Sequence, residues 1–168
     1  VIGIVTRFVA HKGIHLIQYA FQEMLELGCR FVILGSGEKI FEDFFREMQL
    51  QHPEQVSVHI GFLPQMAKRI YAGADIFLMP SQNEPCGLAQ MVAMRYGTIP
   101  IVRETGGMKD TVEPYNEFEK CGTGFTFHNY NADDLLYTIN YAKKIYFDHR
   151  EDWNDILCRG MEQDFSWG

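Results

Sequence analysis

The chain has 168 residues, 46% hydrophobic and 22% charged, which is the composition of an ordinary globular domain rather than a disordered or collagen-like chain. Its 15 basic and 22 acidic residues give a net charge of −7, which argues against a protein that grips nucleic acid phosphates. No apolar run approaches the ~20 residues of a membrane-spanning helix. We therefore expect a single domain over residues 1–168, with neither nucleic acid nor membrane as a partner.

Cysteine and histidine spacing gives no sign of a metal centre. Cys29, Cys86, Cys121 and Cys158 lie far apart without a CxxC pair, and the six histidines form neither HxH nor HExxH. A disulfide framework is unnecessary for a core of this size, so a reducing cytosol is the expected compartment. The chain lacks an initial Met and ends abruptly, and we expect it to be a piece of a longer protein.

Short apolar runs alternate with longer amphipathic stretches along the whole chain. The runs predict strands at residues 1–6, 30–34, 56–60, 75–79, 99–102 and 124–127. Helical periodicity predicts helices at residues 13–27, 38–51, 65–72, 87–96, 132–147 and 151–161. This alternation is typical of βαβ units, so the predicted fold is α/β, a Rossmann-like doubly wound parallel sheet.

Two of the predicted helices carry apolar stripes that indicate buried faces. The stripe of the first helix comprises Ile14, Ile17, Phe21, Met24 and Leu25. In the helix at 132–147, the stripe comprises Tyr137, Tyr141, Ile145 and Phe147. Such stripes belong to the core more often than to a binding site, so we predict that both face the sheet.

Ligands of an open parallel sheet bind beyond the carboxyl ends of its strands, which makes the loops there the candidate site. After the first strand, Arg7 and Lys12 precede a helix and could clamp a diphosphate; the alternative is two solvated cations. Gly35-Ser36-Gly37 follows the second strand as a phosphate-binding turn or, preferably, a simple turn. The dinucleotide fingerprint is excluded because Ile40 occupies the position of its third glycine.

The loop after the fourth strand places Glu84 between two prolines and just before a helix. A carboxylate there fits an acceptor for sugar hydroxyls or a stabiliser of a cationic transition state; the alternative is an acidic residue at a helix start. We interpret Cys86 as a small side chain whose backbone matters rather than as a reactive thiol. Thr105-Gly106-Gly107 follows the fifth strand as a close backbone approach to a ligand or an ordinary turn.

In this order, the loops resemble the C-terminal, donor-binding half of bacterial and plant glycogen/starch synthases. The matching segments are Thr6-Arg7, Lys12-Gly13, Leu34-Gly35-Ser36-Gly37, Ile60-Gly61-Phe62, Tyr71-Ala72-Gly73-Ala74-Asp75, Glu84-Pro85-Cys86-Gly87-Leu88, Met94-Arg95-Tyr96-Gly97, Thr105-Gly106-Gly107 and Asp164-Phe165-Ser166-Trp167. The resemblance implies a GT-B architecture of two Rossmann-like domains with the active site between them. It also implies retaining transfer of glucose from ADP-glucose to the non-reducing end of an α-1,4-glucan, without a cofactor or required metal.

The resemblance further implies roles for individual residues. Arg7 and Lys12 are expected to hold the diphosphate and stabilise the leaving group, and Glu84 to face the donor sugar; these three are the predicted catalytic residues. Donor binding is also expected of Gly35, Ser36, Phe62, Cys86, Gly87, Leu88, Thr105, Gly106 and Gly107. An aromatic ring at Phe62 can stack on the adenine.

The resemblance also implies partners and a location. The α-glucan acceptor is expected to contact mainly an N-terminal domain, and the expected location is the bacterial cytoplasm, or the plastid stroma in a plant. Two other functions stay open: a GT-B transferase using UDP-glucose or another nucleotide sugar, and a non-catalytic nucleotide-binding module. Val92 occupies the place of a second acid found in many GT-B enzymes, which leaves ribose recognition unassigned.

Overall fold

A parallel six-stranded sheet forms the centre of the computed structural model, which describes residues 1–82, 88–105 and 111–163. Its strands are β1 (Ile2–Phe8), β2 (Phe31–Gly37), β3 (Val56–Ile60), β4 (Ile76–Met79), β5 (Ile99–Arg103) and β6 (Phe125–Phe127). The strand order is β3-β2-β1-β4-β5-β6, and every neighbouring pair is parallel. The predicted doubly wound α/β fold is thus confirmed. Strands β1 to β3 are added toward one edge of the sheet and β4 to β6 toward the other, so the strand order reverses between β1 and β4, and we call this place the reversal point.

Helices connect the strands near the positions that periodicity predicts. They are α1 (Ile14–Glu26), α2 (Lys39–Gln51), α3 (Pro64–Gly73), α4 (Ala89–Arg95), α5 (Ala132–Asp148) and α6 (Arg150–Met161), with a short 3₁₀ helix at Ala10–Lys12. Two starts have clear local causes. Pro64 occupies the first turn of α3, where its missing N–H costs nothing. The Asn131 side chain accepts a 2.7 Å hydrogen bond from the Asp134 amide and caps α5.

The core is rich in phenylalanine on the β1–β3 side of the sheet. The predicted α1 stripe is buried, and Phe21 stacks on Phe31 at a centroid distance of 4.6 Å. Phe8 contacts Phe45 of α2 at 5.0 Å. At the β6 end of the sheet, the buried Trp153 of α6 stacks on a β6 side chain, so the last described helix packs onto the sheet.

The Gly35-Ser36-Gly37 segment is part of strand β2, so its interpretation as a simple turn is wrong. Gly35 pairs with Thr6 and Gly37 pairs with Phe8 of β1. A Cβ atom on Gly35 would lie 2.0 Å from the Thr6 carbonyl oxygen. The glycines therefore let β1 and β2 approach and extend together rather than reverse the chain.

The predicted aromatic core stripe of α5 is also wrong for two of its members. Ile145 is 1% exposed, but Tyr137 is 76% and Phe147 is 67% exposed. The buried face of α5 is a different stripe, formed by Leu135, Thr138, Ile139, Ala142 and Ile145. Since successive residues turn by about 100°, Tyr137 and Ile139 point to nearly opposite sides of the helix.

Candidate nucleotide-binding site

Two loops meet at the reversal point, one after β1 and one after β4. The Gln82 amide donates a 2.8 Å hydrogen bond to the His11 carbonyl oxygen. Gly13 adopts a φ of +83°, and a Cβ atom there would lie 2.0 Å from the Pro80 carbonyl oxygen. Only glycine tolerates both the conformation and the contact, so Gly13 allows the two loops to close against each other.

The two predicted phosphate-binding cations lie at the end of β1 and in the loop that follows it. Arg7 is exposed at the carboxyl end of β1, and its guanidinium has no hydrogen-bond or ion-pair partner among the described residues. Lys12 is half-buried and ends the 3₁₀ helix immediately before Gly13. Arg7 supplies a planar donor fork and Lys12 a point charge, so together they present the groups that a diphosphate requires.

An apolar cavity of about 240 Å³ adjoins Arg7. Its lining includes Thr6, Leu34, Gly35, Ser36, Gly61, Phe62 and Leu63. The Phe62 ring is 90% exposed directly after Gly61, whose φ is +142°. A slot lined by an exposed aromatic residue and an arginine matches a planar base joined to phosphates.

The two amides that precede α2 already have partners and are not available to a phosphate. The Gly37 amide donates to Glu42 Oε2 at 2.9 Å, and the Glu38 amide donates to the Phe8 carbonyl oxygen at 2.9 Å. Glu42 also places negative charge in the first turn of the helix. Arg7, which pairs with Ser36 across β1 and β2, is therefore a cationic residue at the cavity that Gly35 and Ser36 line.

Arg103, which sequence reasoning missed, ties the loops after β4, β5 and β6 together. Its Nη1 atom donates a 2.7 Å hydrogen bond to the Gln82 carbonyl oxygen, and its guanidinium carbon lies 5.4 Å from the Tyr130 ring centroid. Burial raises the pKa of Tyr130, and the charge of Arg103 acts in the opposite direction. The sequence shows Arg103 as a cation at the end of a strand. It does not show the partners, because Gln82 and Tyr130 lie far from Arg103 in the sequence.

The other predicted site residues either lie beyond the carboxyl ends of the strands or fall outside the described ranges. Leu88 is the N-cap residue of α4 and is 60% exposed, and Thr105 lies half-buried shortly after β5. The carboxyl ends of β4 and β5 are adjacent, with Met79 opposite Val102. The remaining predicted residues lie outside the described residues: Glu84, Cys86, Gly87, Gly106 and Gly107.

Neither a metal centre nor a membrane span was found in the part of the chain that the structure describes. Within 1–82, 88–105 and 111–163, no group of three or more His, Cys, Asp or Glu side chains could hold a metal ion. No helix in those ranges combines the length and the apolar character needed to cross a bilayer. In the same ranges Cys29, Cys121 and Cys158 are free thiols, and burial raises the pKa of Cys29.

The chain matches a known sequence family over most of its length. The family described as glycosyl transferases group 1 matches residues 1–156. The chain belongs to this family. Glycogen synthases from Lachnospira eligens and Anoxybacillus flavithermus are 51% and 53% identical to it over 99% of its length. The chain spans about one third of the length of these relatives, 35% and 34% respectively.

Solved structures of glycosyltransferases share the fold. The catalytic domain of starch synthase IV from Arabidopsis thaliana, bound to ADP and acarbose, superimposes with a TM-score of 0.92 at 38% identity. The match covers 99% of this chain and 35% of that one. The sucrose-phosphate synthase of Thermosynechococcus elongatus matches at a TM-score of 0.73, over 96% of this chain and 39% of its own, but at 22% identity it shows the fold alone.

Proposed function

We propose that this chain is the donor-binding domain of a glycogen or starch synthase. The proposed enzyme transfers glucose from ADP-glucose to the non-reducing end of an α-1,4-glucan with retention. The observation that carries the proposal is the apolar slot that Phe62 and Arg7 line at the carboxyl ends of β1 and β2. Similarity to glycogen synthases, and to a starch synthase structure that holds ADP, supports ADP-glucose as the donor.

In the proposed chemistry, the residues at and after the end of β1 act on the diphosphate of the donor and the residue after β4 acts on its sugar. Arg7 and Lys12 bind the diphosphate and stabilise the negative charge that grows on it as the bond to glucose breaks. Glu84, which follows β4 and Ser81 in the sequence, provides negative charge for the sugar as it becomes cationic. Phe62 stacks on the base and fixes the leaving group relative to both.

The proposal also covers the partners and conditions of the reaction. The acceptor glucan is held mainly by a further domain, the reaction needs no metal, and the protein acts in the bacterial cytoplasm or, in a plant, the plastid stroma. Two cations from the chain provide the charge stabilisation that a bound metal supplies in other phosphate-transfer sites. A UDP-glucose transferase and a non-catalytic nucleotide-binding module are the competing functions.

A nucleotide panel and a transfer assay test these alternatives on the complete protein. We expect the affinity for ADP to be well above that for UDP. Labelled glucose should move from ADP-glucose to maltoheptaose at the same rate with and without a chelator. Equal or tighter UDP binding favours the transferase with another donor. Nucleotide binding without any transfer favours the non-catalytic module.

A further inference from the structure

Helix α5 carries exposed aromatic side chains that lie outside its buried face. Tyr137 and Phe147 are 76% and 67% exposed, and Tyr141 lies between them, half-buried. The helix between Tyr137 and Phe147 corresponds to about 15 Å along the axis. We call these three residues the α5 aromatic face.

Two grooves run along this face, one on each side of Tyr137 and Tyr141. The first has a volume of about 330 Å³ and lies beside β6; its lining includes Tyr115, Thr126, His128 and Asp134. The second has a volume of about 580 Å³, and its lining includes Glu117, Asn140, Lys144 and Asp148. Tyr137 and Tyr141 line both, so they form a ridge between two troughs of hydrogen-bonding groups.

The aromatic face is held in place by rings behind it. Phe147 contacts Tyr146 at a centroid distance of 4.9 Å, and Tyr146 contacts the buried Trp153 at 5.1 Å. Tyr141 meets the buried Phe125 edge-on at 5.8 Å. Because these contacts already restrict two of the three rings, a ligand on the face orders little that is mobile.

The charges along the second groove are balanced. Glu117 and Asp148 face the same groove as Lys143 and Lys144. A nucleic acid or an acidic peptide would meet carboxylates there, and a basic peptide would meet ammonium groups. An uncharged ligand with many hydroxyls meets donors and acceptors of both kinds, and its C–H faces can lie on the aromatic rings.

We propose that the α5 aromatic face is a carbohydrate-binding surface that holds a stretch of α-glucan outside the nucleotide site. The choice of α-glucan as occupant rests on the proposed function. Phe62 follows β3 and the first groove borders β6, and these are opposite edge strands of the sheet. Five spacings of about 4.8 Å separate those strands by about 24 Å, so glucan on α5 leaves the nucleotide slot free.

The test compares Tyr137→Ala/Phe147→Ala with Tyr19→Ala in the complete protein. Tyr19 is 77% exposed on α1 and is a matched control for the loss of an exposed tyrosine. The probe is soluble glycogen in affinity electrophoresis. We expect the double variant to bind glycogen about fivefold more weakly than Tyr19→Ala, since aromatic contacts are each worth a few-fold in affinity.

The same variants are then assayed with long and short acceptors. The double variant should raise the KM for glycogen and leave the KM for maltotriose and the ADP affinity unchanged, because a short acceptor reaches only the catalytic cleft. Glycogen retention equal to that of Tyr19→Ala overturns the proposal. So does a lowered Tm with unchanged retention, which means that another part of the complete protein covers α5.

Failure of the proposed function gives a different result. An unaltered protein that transfers no glucose from ADP-glucose refutes the synthase assignment. Electrophoresis on glycogen still reports on the α5 face in that case. Selective loss of retention in the double variant then supports a carbohydrate surface on a protein with another activity, while equal retention refutes the surface as well.

Discussion

Gly13 allows the loops after β1 and β4 to approach each other closely. We predict that Gly13→Ala destabilises the protein by about 3 kcal/mol or more, because it combines a left-handed φ with a backbone clash. Gly28→Ala is the matched control: its φ is +88°, but a Cβ there meets nothing within 4 Å. Its expected cost is only about 1–2 kcal/mol.

Denaturant unfolding of the two variants measures this difference. The excess cost of Gly13→Ala over Gly28→Ala reports the approach of the 3₁₀ helix to Pro80. Equal costs for the two variants would show that the loop after β4 moves aside, and that the junction does not constrain the site.

Arg7 should contribute to phosphate binding rather than to the stability of the fold. We expect Arg7→Ala to weaken ADP binding about tenfold or more, since a charge-assisted hydrogen bond is worth roughly 1.5–3 kcal/mol. Lys12→Ala should do the same, with a smaller effect of either change on adenosine. Calorimetric titration of both ligands, with Arg46→Ala on α2 as the control, makes the measurement.

Added salt should shrink the difference between Arg7→Ala and the unaltered protein, because Arg7 is exposed and its charge is screened. Equal losses of ADP and adenosine affinity would contradict phosphate binding at this position. They would show that the substitution disturbs the apolar slot beside it instead.

Glu84→Gln should separate catalysis from binding. A carboxylate beside a diphosphate gains nothing from the ground state but stabilises positive charge on the sugar in the transition state. We expect kcat to fall by about 10²–10³ with little change in ADP affinity, as is typical when one electrostatic group is removed. Single-turnover transfer, ADP titration and a thermal melt check this; transfer within a few-fold of the unaltered protein would leave Glu84 as a positioning residue.

Among the secondary-structure elements, α6 contacts the segment before β6 through the Asp152 carboxylate. Asp152 accepts hydrogen bonds from Lys120 Nζ at 2.8 Å and from the Tyr115 hydroxyl at 2.9 Å. The Lys120 contact, followed by the Tyr115 contact, holds the pKa of Asp152 below its ordinary value. Burial, followed by the bond to Asp152, raises the pKa of Tyr115.

A lowered carboxyl pKa has a definite consequence for acid stability. The stabilisation from Asp152 is complete above the unfolded pKa of 3.8 and is lost as pH falls from there through the lower folded pKa. Asp152→Asn should therefore lower Tm near neutral pH and flatten the fall of Tm as pH drops below about 5. Asp155→Asn on the same helix is the control, and parallel pH profiles for the two variants would contradict the assignment.

For the whole molecule, residues 1–168 provide one wall of the proposed cleft. We predict that this chain by itself binds ADP weakly and transfers no glucose to glucan. One wall of a cleft alone neither excludes water from the reacting groups nor holds the acceptor against the donor. Radiolabelled transfer from ADP-glucose to glycogen is the assay, and appreciable elongation would refute the division of roles between two domains.

Much of the fold follows from local pattern. Each predicted strand and helix is present, and most boundaries differ by one or two residues, because apolar runs and 3.6-residue stripes are local properties. The errors occur where a partner decides the outcome. Gly35-Ser36-Gly37 is extended because β1 lies beside it, and Tyr137 is exposed because Ile139 and Ala142 already fill the face toward the sheet.

Strand–helix alternation and the order of motifs along the chain were enough to predict the parallel α/β class and the loops that hold the candidate site, because both can be read locally. The contacts between loops became known from the folded structure alone. The contacts of Gly13 with Pro80 and of Arg103 with Gln82 join residues that are distant in sequence. Such contacts depend on the strand order, which places β1 beside β4 and β4 beside β5, and no local pattern encodes that order.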